Sequence, residues 1–554
     1  MGIELRLVSS LEKVFCEREL DAPAITKAAG ARGERAAFQL AVRDNEGARL
    51  LIKVETALPV PVTLREVRLV PCELPVAPED PFVLRNAPGI YPDPLVPLKA
   101  NADGEWQFRP SPKNWHAIWV SLDVPADAPA GEWDVTLTAR RDPARYSPWG
   151  QGEAPAVSAT LRFAVRPYAL PPQRLVNINW FYVDCIASYY HLEPWGEALW
   201  AMLEKYFRDM AAHGNNALYT PLWTPPLDTA VGGERPTTQL LTISESGGQW
   251  RFDFSLLQRW IDLGRRCGIE HFEMSHFFTQ WGAGHAPKII VNGEKRFGWD
   301  DAADGPEYRA FLSALLPPLL DFLRQNGLQG KAFFHVSDEP GLGDLERYAA
   351  AVKFLRQWID EDEFPVIDAM SNVEFWRQGL LKRPVPATSE VDKFQQEPIA
   401  ERWVYYCGNW QGDLPNRSYG MPSIRCRVMG VLLYLYAMRG FLHWGYNFWH
   451  TQYSLDVNND PWRVTDAGRA FIGGDSFNVL PGPDGPVDCL HFETFLEGLQ
   501  DLRALQLLEE KIGREKTVAI VQAGVPYRID MRHYPHEAGW LLDLRARVDA
   551  AIVG

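Results

Sequence analysis

Two textures of apolar and polar residues divide this chain. Up to about residue 168, segments such as Arg35-Ala-Ala-Phe-Gln-Leu-Ala-Val42, Trp115-His-Ala-Ile-Trp-Val-Ser-Leu-Asp-Val124 and Glu132-Trp-Asp-Val-Thr-Leu-Thr138 alternate with period two. That period fits half-buried strands, and Pro/Gly/Asp-rich turns separate them. Met1–Val8 reads as a further strand, Ala126–Trp133 as a turn into one, and Ala159–Val165 as the last. A β-sandwich over residues 1–168 follows, and Arg166-Pro-Tyr-Ala-Leu-Pro-Pro172 reads as a stiff linker.

From about 173 the texture changes to short apolar strands alternating with amphipathic helices, the pattern of a parallel sheet. The predicted strands are Leu175–Phe181, Asn216–Leu222, His271–Phe277, Lys331–Ser337, Pro365–Ser371, a weak one at Val385–Thr388, Trp403–Cys407 and Gly440–Gly445. The clearest helices are Glu197–His213, Ser255–Cys267, Glu307–Gln325, Leu345–Asp360 and Arg425–Met438. Eight such strands between 173 and 470 predict a (β/α)8 TIM barrel. Residues 471–554 predict a helical extension packed on it, with helices over Glu493–Glu510 and Trp540–Val553.

Composition narrows the classes. A chain of 554 residues holds several domains. A net charge of −15 argues against a nucleic-acid partner, which needs a basic stripe. No apolar run of about 18 residues occurs, so no membrane span is expected. The start has neither an apolar leader core nor a small-residue cleavage pattern, so the expected compartment is the cytoplasm. Seven cysteines, an odd count without a CxxC pair, indicate neither a disulfide framework nor a thiolate metal site. Twenty-one tryptophans and 19 tyrosines, clustered near predicted strand ends after 176, fit large cores but also a sugar site, where aromatic faces stack on pyranose C–H faces. The expected partner is a small carbohydrate, and a homo-oligomer is compatible with the sequence.

The candidate chemistry centres on Lys331-Ala-Phe-Phe-His-Val-Ser-Asp-Glu-Pro340, an aromatic strand that ends in Asp338 and Glu339. Carboxylates at the C-terminal end of a barrel strand stand where catalytic groups sit. Burial can raise one pKa of such a pair while its neighbour stays charged. Helix capping alone does not account for them, because Asp344 is placed to cap. Ordinary retaining glycosidases flank the scissile bond with two carboxyls from different strands. Adjacent carboxyls suit another division of labour: Glu339, the longer arm, as acid/base on the glycosidic oxygen, and Asp338 orienting a 2-acetamido group that itself attacks.

Other strand ends supply candidate sugar contacts. Trp403-Val-Tyr-Tyr-Cys-Gly-Asn-Trp-Gln-Gly-Asp-Leu-Pro-Asn416 offers Tyr405, Tyr406, Trp410, Asp413 and Asn416. Gly440-Phe-Leu-His-Trp-Gly-Tyr-Asn-Phe-Trp449 offers Trp444 as the pocket floor, then Tyr446, Asn447 and Trp449. Earlier strands add Trp180, Tyr182, Asp184, Tyr219, Trp223, His276, Gln280, Trp281 and His285, and later ones His335 and Asn372. For most of these, packing competes with ligand contact. A metal reading would use His276, His285, His335 and Asp338, but no H-x-x-x-H spacing occurs and none is expected. Gly232-Gly233 lies in a polar loop, and with no Walker or dinucleotide fingerprint no cofactor is expected.

Ser337-Asp-Glu-Pro340 after an aromatic strand, Met210-Ala-Ala-His-Gly-Asn-Asn216, Gly440-Phe-Leu-His-Trp444 and Phe495-Leu-Glu-Gly-Leu-Gln-Asp-Leu502, in that order, resemble glycoside hydrolase family 123 and its relatives, including proteins known by a C-terminal domain of unknown function. The resemblance runs from about 175 to 510. It implies a β-sandwich, a catalytic (β/α)8 barrel and β-N-acetylgalactosaminidase activity with retention through an oxazoline, with the family's Asp-Glu pair at Asp338 and Glu339. His491-Phe-Glu-Thr-Phe-Leu496 departs from the Arg-x-Glu-x-Leu-Arg-like start such a tail has. Two other readings stay open: a glycosidase for sugars without an acetamide, with a separate nucleophile such as Glu390, and a carbohydrate-binding barrel without catalysis.

Overall fold

The structure is a computed structural model that describes residues 2–77, 79–143, 155–408 and 412–554. The chain forms two compact units, Met1–Gln173 with Pro415–Leu435 and Val487–Gly554, and Arg174–Leu414 with Tyr436–Pro486.

The first unit opens with ten strands: β1 (Ile3–Ser9), β2 (Lys27–Arg32), β3 (Arg35–Asp44), β4 (Leu50–Thr56), β5 (Val62–Cys72), β6 (Gly89–Pro97), β7 (Trp106–Phe108), β8 (His116–Asp123), β9 (Gly131–Arg141) and β10 (Val157–Ala169). They form two five-stranded sheets, ordered β1-β3-β8-β5-β6 and β2-β10-β9-β4-β7. Phe38, Leu40, Ile118 and Val120 of one sheet share a core with Ile52, Val135, Leu137 and Phe163 of the other. Strand β8 is buried on both faces: Ile118, Val120 and Leu122 enter that core, while Ala117 and Trp119 join a second cluster with Val67 and Leu490. The expected linker at 166–172 is in part strand. Strand β10 continues to Ala169, which pairs in parallel with Arg32 of β2.

The second unit begins with β11 (Val176–Asn179) and β12 (Ala217–Thr220), continues through the hairpin β13 (Thr242–Ser246) and β14 (Gln249–Asp253) to β15 (His271–Met274), and through the hairpin β16 (Ile289–Val291) and β17 (Glu294–Phe297) to β18 (Ala332–Phe333). Strands β19 (Ile367–Ala369), β20 (Arg383–Val385), β21 (Arg402–Tyr405) and β22 (Met438–His443) follow. Six strands lie in one parallel sheet, β18-β15-β12-β11-β22-β21, and β19 and β20 pair in parallel beside it. Single parallel bridges, Phe334 to Val366 and Ala387 to Tyr405, join the two sets. The pairing therefore passes through eight parallel strands in chain order and returns from β22 to β11. Each lies within or overlaps a segment expected from the sequence. Helices α1 (Val183–Tyr190), α2 (Glu197–Ala212), α3 (Ser255–Cys267), α4 (Pro306–Gln325), α5 (Leu345–Leu355), α6 (Val373–Arg377) and α7 (Val391–Gln395) fall between strands. Helix α3 buries Leu257, Trp260, Ile261 and Gly264 and ends at Gly268, whose φ of +100° suits the left-handed stop.

The first unit is completed by α8 (Ile424–Arg427), α9 (Met429–Leu435), α10 (Leu490–Ile512), α11 (Arg514–Gln522) and α12 (Ala538–Val553). The single helix expected over Arg425–Met438 is two short helices, and Met438 already belongs to β22. A Cβ on Gly430 would come within 1.8 Å of the Gly498 carbonyl oxygen, so α9 and α10 cross where neither has a side chain. Among the described residues, no helix is long and apolar enough to cross a membrane.

Candidate active site

Asp338 and Glu339 stand just beyond β18, on a backbone held from both sides. On one side, the loop after β15 pairs with it: Phe277 N donates to the His335 carbonyl (3.2 Å), Phe278 N to that of Val336 (3.1 Å) and Trp281 N to that of Asp338 (2.8 Å). The Ser337 hydroxyl donates to the Thr279 carbonyl (2.8 Å) and accepts from Ala283 N (3.0 Å). On the other side, Phe334 N donates to the Pro365 carbonyl (2.9 Å), and Val336 N to Asp368 Oδ1 (3.0 Å). This lacing explains why the regular ladder of β18 is only two residues long although the chain stays ordered to the carboxylates. Glu339 has φ of +41°, Trp281 +58° and Ala283 +55°. Left-handed backbone at non-glycine residues is costly and concentrates at functional sites.

The two carboxyls have different surroundings. The Asp338 carboxylate takes no hydrogen bond from any described residue. Burial and the adjacent Glu339 push its pKa well above the usual carboxylate range, and His335 pulls against them. Glu339 Oε1 accepts the Tyr405 hydroxyl, whose own pKa burial and Glu339 hold well above its ordinary value, so the tyrosine remains a donor.

Beneath the pair lies a buried polar layer contributed by neighbouring strands. The His335 ring, fully buried, meets Glu273 Oε1 through Nε2 and Asp368 Oδ1 through Nδ1 (3.0 Å). Burial opposes charge on this ring, but Glu273 and Asp368 more than offset it and raise its pKa to about 9, so it is an imidazolium at neutral pH. Glu273 also accepts the Trp180 indole N–H (2.9 Å), and Asp368 the Tyr348 hydroxyl (2.5 Å). His276 stacks on His335 at 4.2 Å between ring centroids, and burial, followed by that cation, lowers its pKa well below the ordinary value. Its Nδ1 faces the Tyr219 hydroxyl at 3.1 Å.

One open pocket of about 660 Å³, mouth included, contains the pair. Aromatic side chains of Trp180, Tyr182, Trp281, Tyr405, Trp444 and Phe471 line it, with Asp228, Gln280 and Cys407 as further polar groups. An apolar concavity with a few placed polar groups is the usual form of a small-molecule site. Of the sugar-contact candidates, Trp180, Trp281, Tyr405 and Trp444 line this pocket, as do Tyr182 and Gln280.

The remaining candidates are placed otherwise. Tyr219, His276 and His335 are buried beneath the pocket. Asn372 caps α6 by accepting from Glu374 N (3.0 Å). Tyr406 is buried against Phe441 and His443. Asn447 clamps the backbone of Tyr182 through two 2.9 Å bonds. Trp449 is buried and donates to the Val479 carbonyl (3.0 Å), Tyr446 to Asp209 (2.6 Å) and Trp223 to the His276 carbonyl (2.9 Å). Asp184 holds the buried Arg235 through two 2.9 Å bonds. Asp413 does not line the pocket, Asn416 belongs to the first unit, and Trp410 lies outside the described residues. Asp344 accepts from Gly341 N (3.0 Å) and so closes the turn before α5 instead of capping the helix by its side chain. Glu390 pairs with Lys393 at 2.5 Å away from the pocket lining.

For a metal, His276, His335 and Asp368 present ligand atoms within 4.8 Å of one another. Both nitrogens of His335 already face carboxylates, and a protonated imidazole has no lone pair to give. His285, the third histidine of that set, packs its ring on Trp299 instead. The donor set fits a charged hydrogen-bond layer better than a metal centre.

A family model described as glycoside hydrolase 123, catalytic domain, matches residues 180–508, a stretch that contains the pair, the layer beneath it and the pocket. The chain belongs to glycoside hydrolase family 123. The family 123 glycoside hydrolase from Clostridium perfringens, known for glycolipid glycan hydrolysis, has a solved structure that superposes with a TM-score of 0.73. The two share 12% identity, with 100% of this chain and 98% of that one covered. A β-glucuronidase from Bifidobacterium dentium superposes with a TM-score of 0.30 at 9% identity, covering 90% of this chain and 66% of its own. No curated protein matches the sequence. Family 123 membership makes this chain a glycosidase and its substrate a carbohydrate.

Proposed function

We propose that this family 123 member is a retaining exo-N-acetylhexosaminidase that releases terminal N-acetylgalactosamine, with the eight-strand ring acting as a (β/α)8 barrel. We assign residues 1–168 to a sandwich domain, 173–470 to the catalytic domain and 471–554 to a helical extension. The observation that carries the reading is the adjacency of Asp338 and Glu339 in one pocket, the carboxylate of the first without a hydrogen bond from any described residue and that of the second held by Tyr405.

The chemistry follows from that asymmetry. Glu339 gives a proton to the glycosidic oxygen as the C1–O bond breaks, and the aglycone leaves as an alcohol. The substrate's 2-acetamido carbonyl oxygen attacks C1 and closes an oxazoline, while Asp338 accepts the amide N–H and balances its growing positive charge. Water then adds to C1, Glu339 takes its proton, and the ring opens to free sugar with the acetamide restored. Attack from C2 requires the leaving group trans to it, which for a gluco- or galacto-configured hexosaminide is the β anomer. Trp281, 46% exposed, and Tyr453 meet edge to face at 6.1 Å beside exposed Leu455. This apolar surface near the pocket mouth supports an aglycone with an apolar part, in keeping with the glycolipid glycans hydrolysed by the C. perfringens protein.

The test is hydrolysis of α- and β-linked aryl N-acetylgalactosaminides and N-acetylglucosaminides, with a thiazoline analogue as inhibitor. Glu339→Gln and Asp338→Asn should each lower kcat by about 10²–10⁴-fold. Unchanged turnover in either variant refutes the assignment. A second reading, a glycosidase with a carboxylate nucleophile, gains from a third carboxyl in the pocket, Asp228, and predicts activity on plain galactosides with indifference to thiazolines.

A further inference from the structure

Among the described residues, Asp228 is the one carboxylate of the pocket outside the Asp338–Glu339 pair. It lies in the loop after β12, at φ of +41°, a left-handed conformation that Asp tolerates better than most residues. Its Oδ2 accepts the Tyr453 backbone N–H at 2.9 Å, and the Ser454 hydroxyl donates to its carbonyl at 3.0 Å. Those bonds fix the side chain and leave Oδ1 without a partner among the described residues. Gln280 lines the same pocket, is 4% exposed, and spends its Nε2 on the carbonyl of Thr229 (2.9 Å), the residue next to Asp228. The Gln280 Oε1 likewise has no partner among the described residues. Two anchored acceptors, tied to one short stretch of chain, therefore face one pocket with their remaining lone pairs unused. Acceptors held by the chain and open to a pocket are placed to take donors from a bound ligand.

Resting on the N-acetylhexosaminidase reading, we infer that Asp228 and Gln280 select the sugar by accepting its hydroxyl protons at C4 and C6, the positions remote from the carbons handled by Asp338 and Glu339. Sugar hydroxyls are donors, and a carboxylate acceptor makes the stronger, charge-assisted bond. Orientation at C4 is what distinguishes N-acetylgalactosamine from N-acetylglucosamine. A site built to hydrogen-bond a hydroxyl discriminates sharply against a sugar that lacks it, because its own groups then stay unpaired.

The experiment measures binding of free N-acetylgalactosamine, N-acetylglucosamine and galactose by quenching of tryptophan fluorescence in the full chain, beside kcat and KM on the aryl hexosaminides. Asp228→Asn keeps an oxygen for the Tyr453 N–H, and Gln280→Met keeps the volume; Asp228→Ala removes the acceptor outright. Asp228→Ala and Gln280→Met should each weaken N-acetylgalactosamine binding about tenfold or more and flatten the preference between the 4-epimers, with KM moving more than kcat. Asp228→Asn should fall between Asp228→Ala and wild type. Equal affinities in wild type and Asp228→Ala overturn the inference, as does failure of the wild type to bind any of the three sugars. A thousandfold loss of kcat with unchanged sugar affinity also overturns it and makes Asp228 the nucleophile. Sugar binding that depends on Asp228, without hydrolysis of any hexosaminide, keeps this inference and removes the enzymatic reading instead.

Discussion

Replacing Glu273 by Gln tests whether the buried layer fixes charge beneath the catalytic pair. In the wild type His335 is held between Glu273 and Asp368, and its pKa is raised to about 9 despite full burial. An ordinary histidine titrates near 6.5, so a pKa held at about 9 corresponds to about 3 kcal/mol. The sign follows from linkage. A base whose folded pKa is raised contributes stability in full below its unfolded value, near 6.5, and loses it as pH rises through about 9. Glu273 is the largest of the influences that raise this pKa, so Glu273→Gln leaves burial dominant and the ring neutral at pH 7.

Two measurements read this out. Chemical unfolding of wild type and Glu273→Gln between pH 6 and 9.5 should show the stability gap between them shrinking by about 3 kcal/mol across that window. The His335 Cε1 proton should titrate near 9 in the wild type, and below 6.5 or not at all in the variant. In activity, loss of the cation removes the influence that pulls the Asp338 pKa down, which outweighs loss of the smaller upward push from Glu273, so the acid limb of kcat should move to higher pH with KM little changed. A gap that stays constant from pH 6 to 9.5, or a wild-type His335 that titrates near 6.5, refutes the reasoning.

Tyr405→Phe removes the hydroxyl that Glu339 accepts and should lower kcat about tenfold with KM nearly constant, measured on an aryl hexosaminide. Burial raises the Asp228 pKa to about 6, so its carboxylate costs up to about 3 kcal/mol above that pH; Asp228→Asn should therefore raise Tm at pH 7.5, with the gain fading toward pH 4. A Cβ on Gly440 would lie 2.1 Å from the Trp403 ring, so Gly440→Ala should destabilise by about 1–3 kcal/mol in denaturant titration, and an unaltered midpoint would contradict the packing of β21 on β22.

Most ring strands were legible because they are short apolar runs bounded by turn residues, the weak sixth, at Arg383–Val385, overlapping its expected segment only at Val385, and Ser337-Asp-Glu-Pro340 was legible because the run stops at paired acids. What the pattern concealed is instructive. Glu273 sits inside His271-Phe-Glu-Met274 and Asp368 inside Ile367-Asp-Ala369, each a lone acid in an apolar strand, and nothing local shows that both turn toward His335. A single charged residue within a buried strand was the available signal. The hairpins at 242–253 and 289–297 escaped because their strands are short, and polar runs such as Thr242-Ile-Ser-Glu-Ser246 and Glu294-Lys-Arg-Phe297 read as loop between helices. Strand-end position alone did not separate ligand contact from support: Trp444 reaches the pocket, whereas Asn447 three residues later holds Tyr182 in place and Asn372 caps a helix. Asp228 lies among Thr-Pro-Pro-Leu and Thr-Ala in a loop with no periodic pattern, and only tertiary structure brings it to the pocket.

Adjacency itself sets the central constraint on the mechanism. Two carboxyls on consecutive residues cannot both ionise cheaply in an apolar pocket, and burial with the adjacent Glu339 accordingly pushes the Asp338 pKa well above the usual carboxylate range. The proposed chemistry needs Asp338 charged and Glu339 carrying the proton. An acetamide N–H placed on Asp338 stabilises its charged form, and the imidazolium of His335 works in the same direction. On Glu339 the Tyr405 hydroxyl already occupies Oε1 and leaves Oε2 free for the acid's proton. On this argument the substrate's acetamide does two jobs, supplying the nucleophile and arming the acid. A sugar without that group loses both, which is why a pair built of neighbours suits an N-acetylated substrate and would serve a plain galactoside poorly.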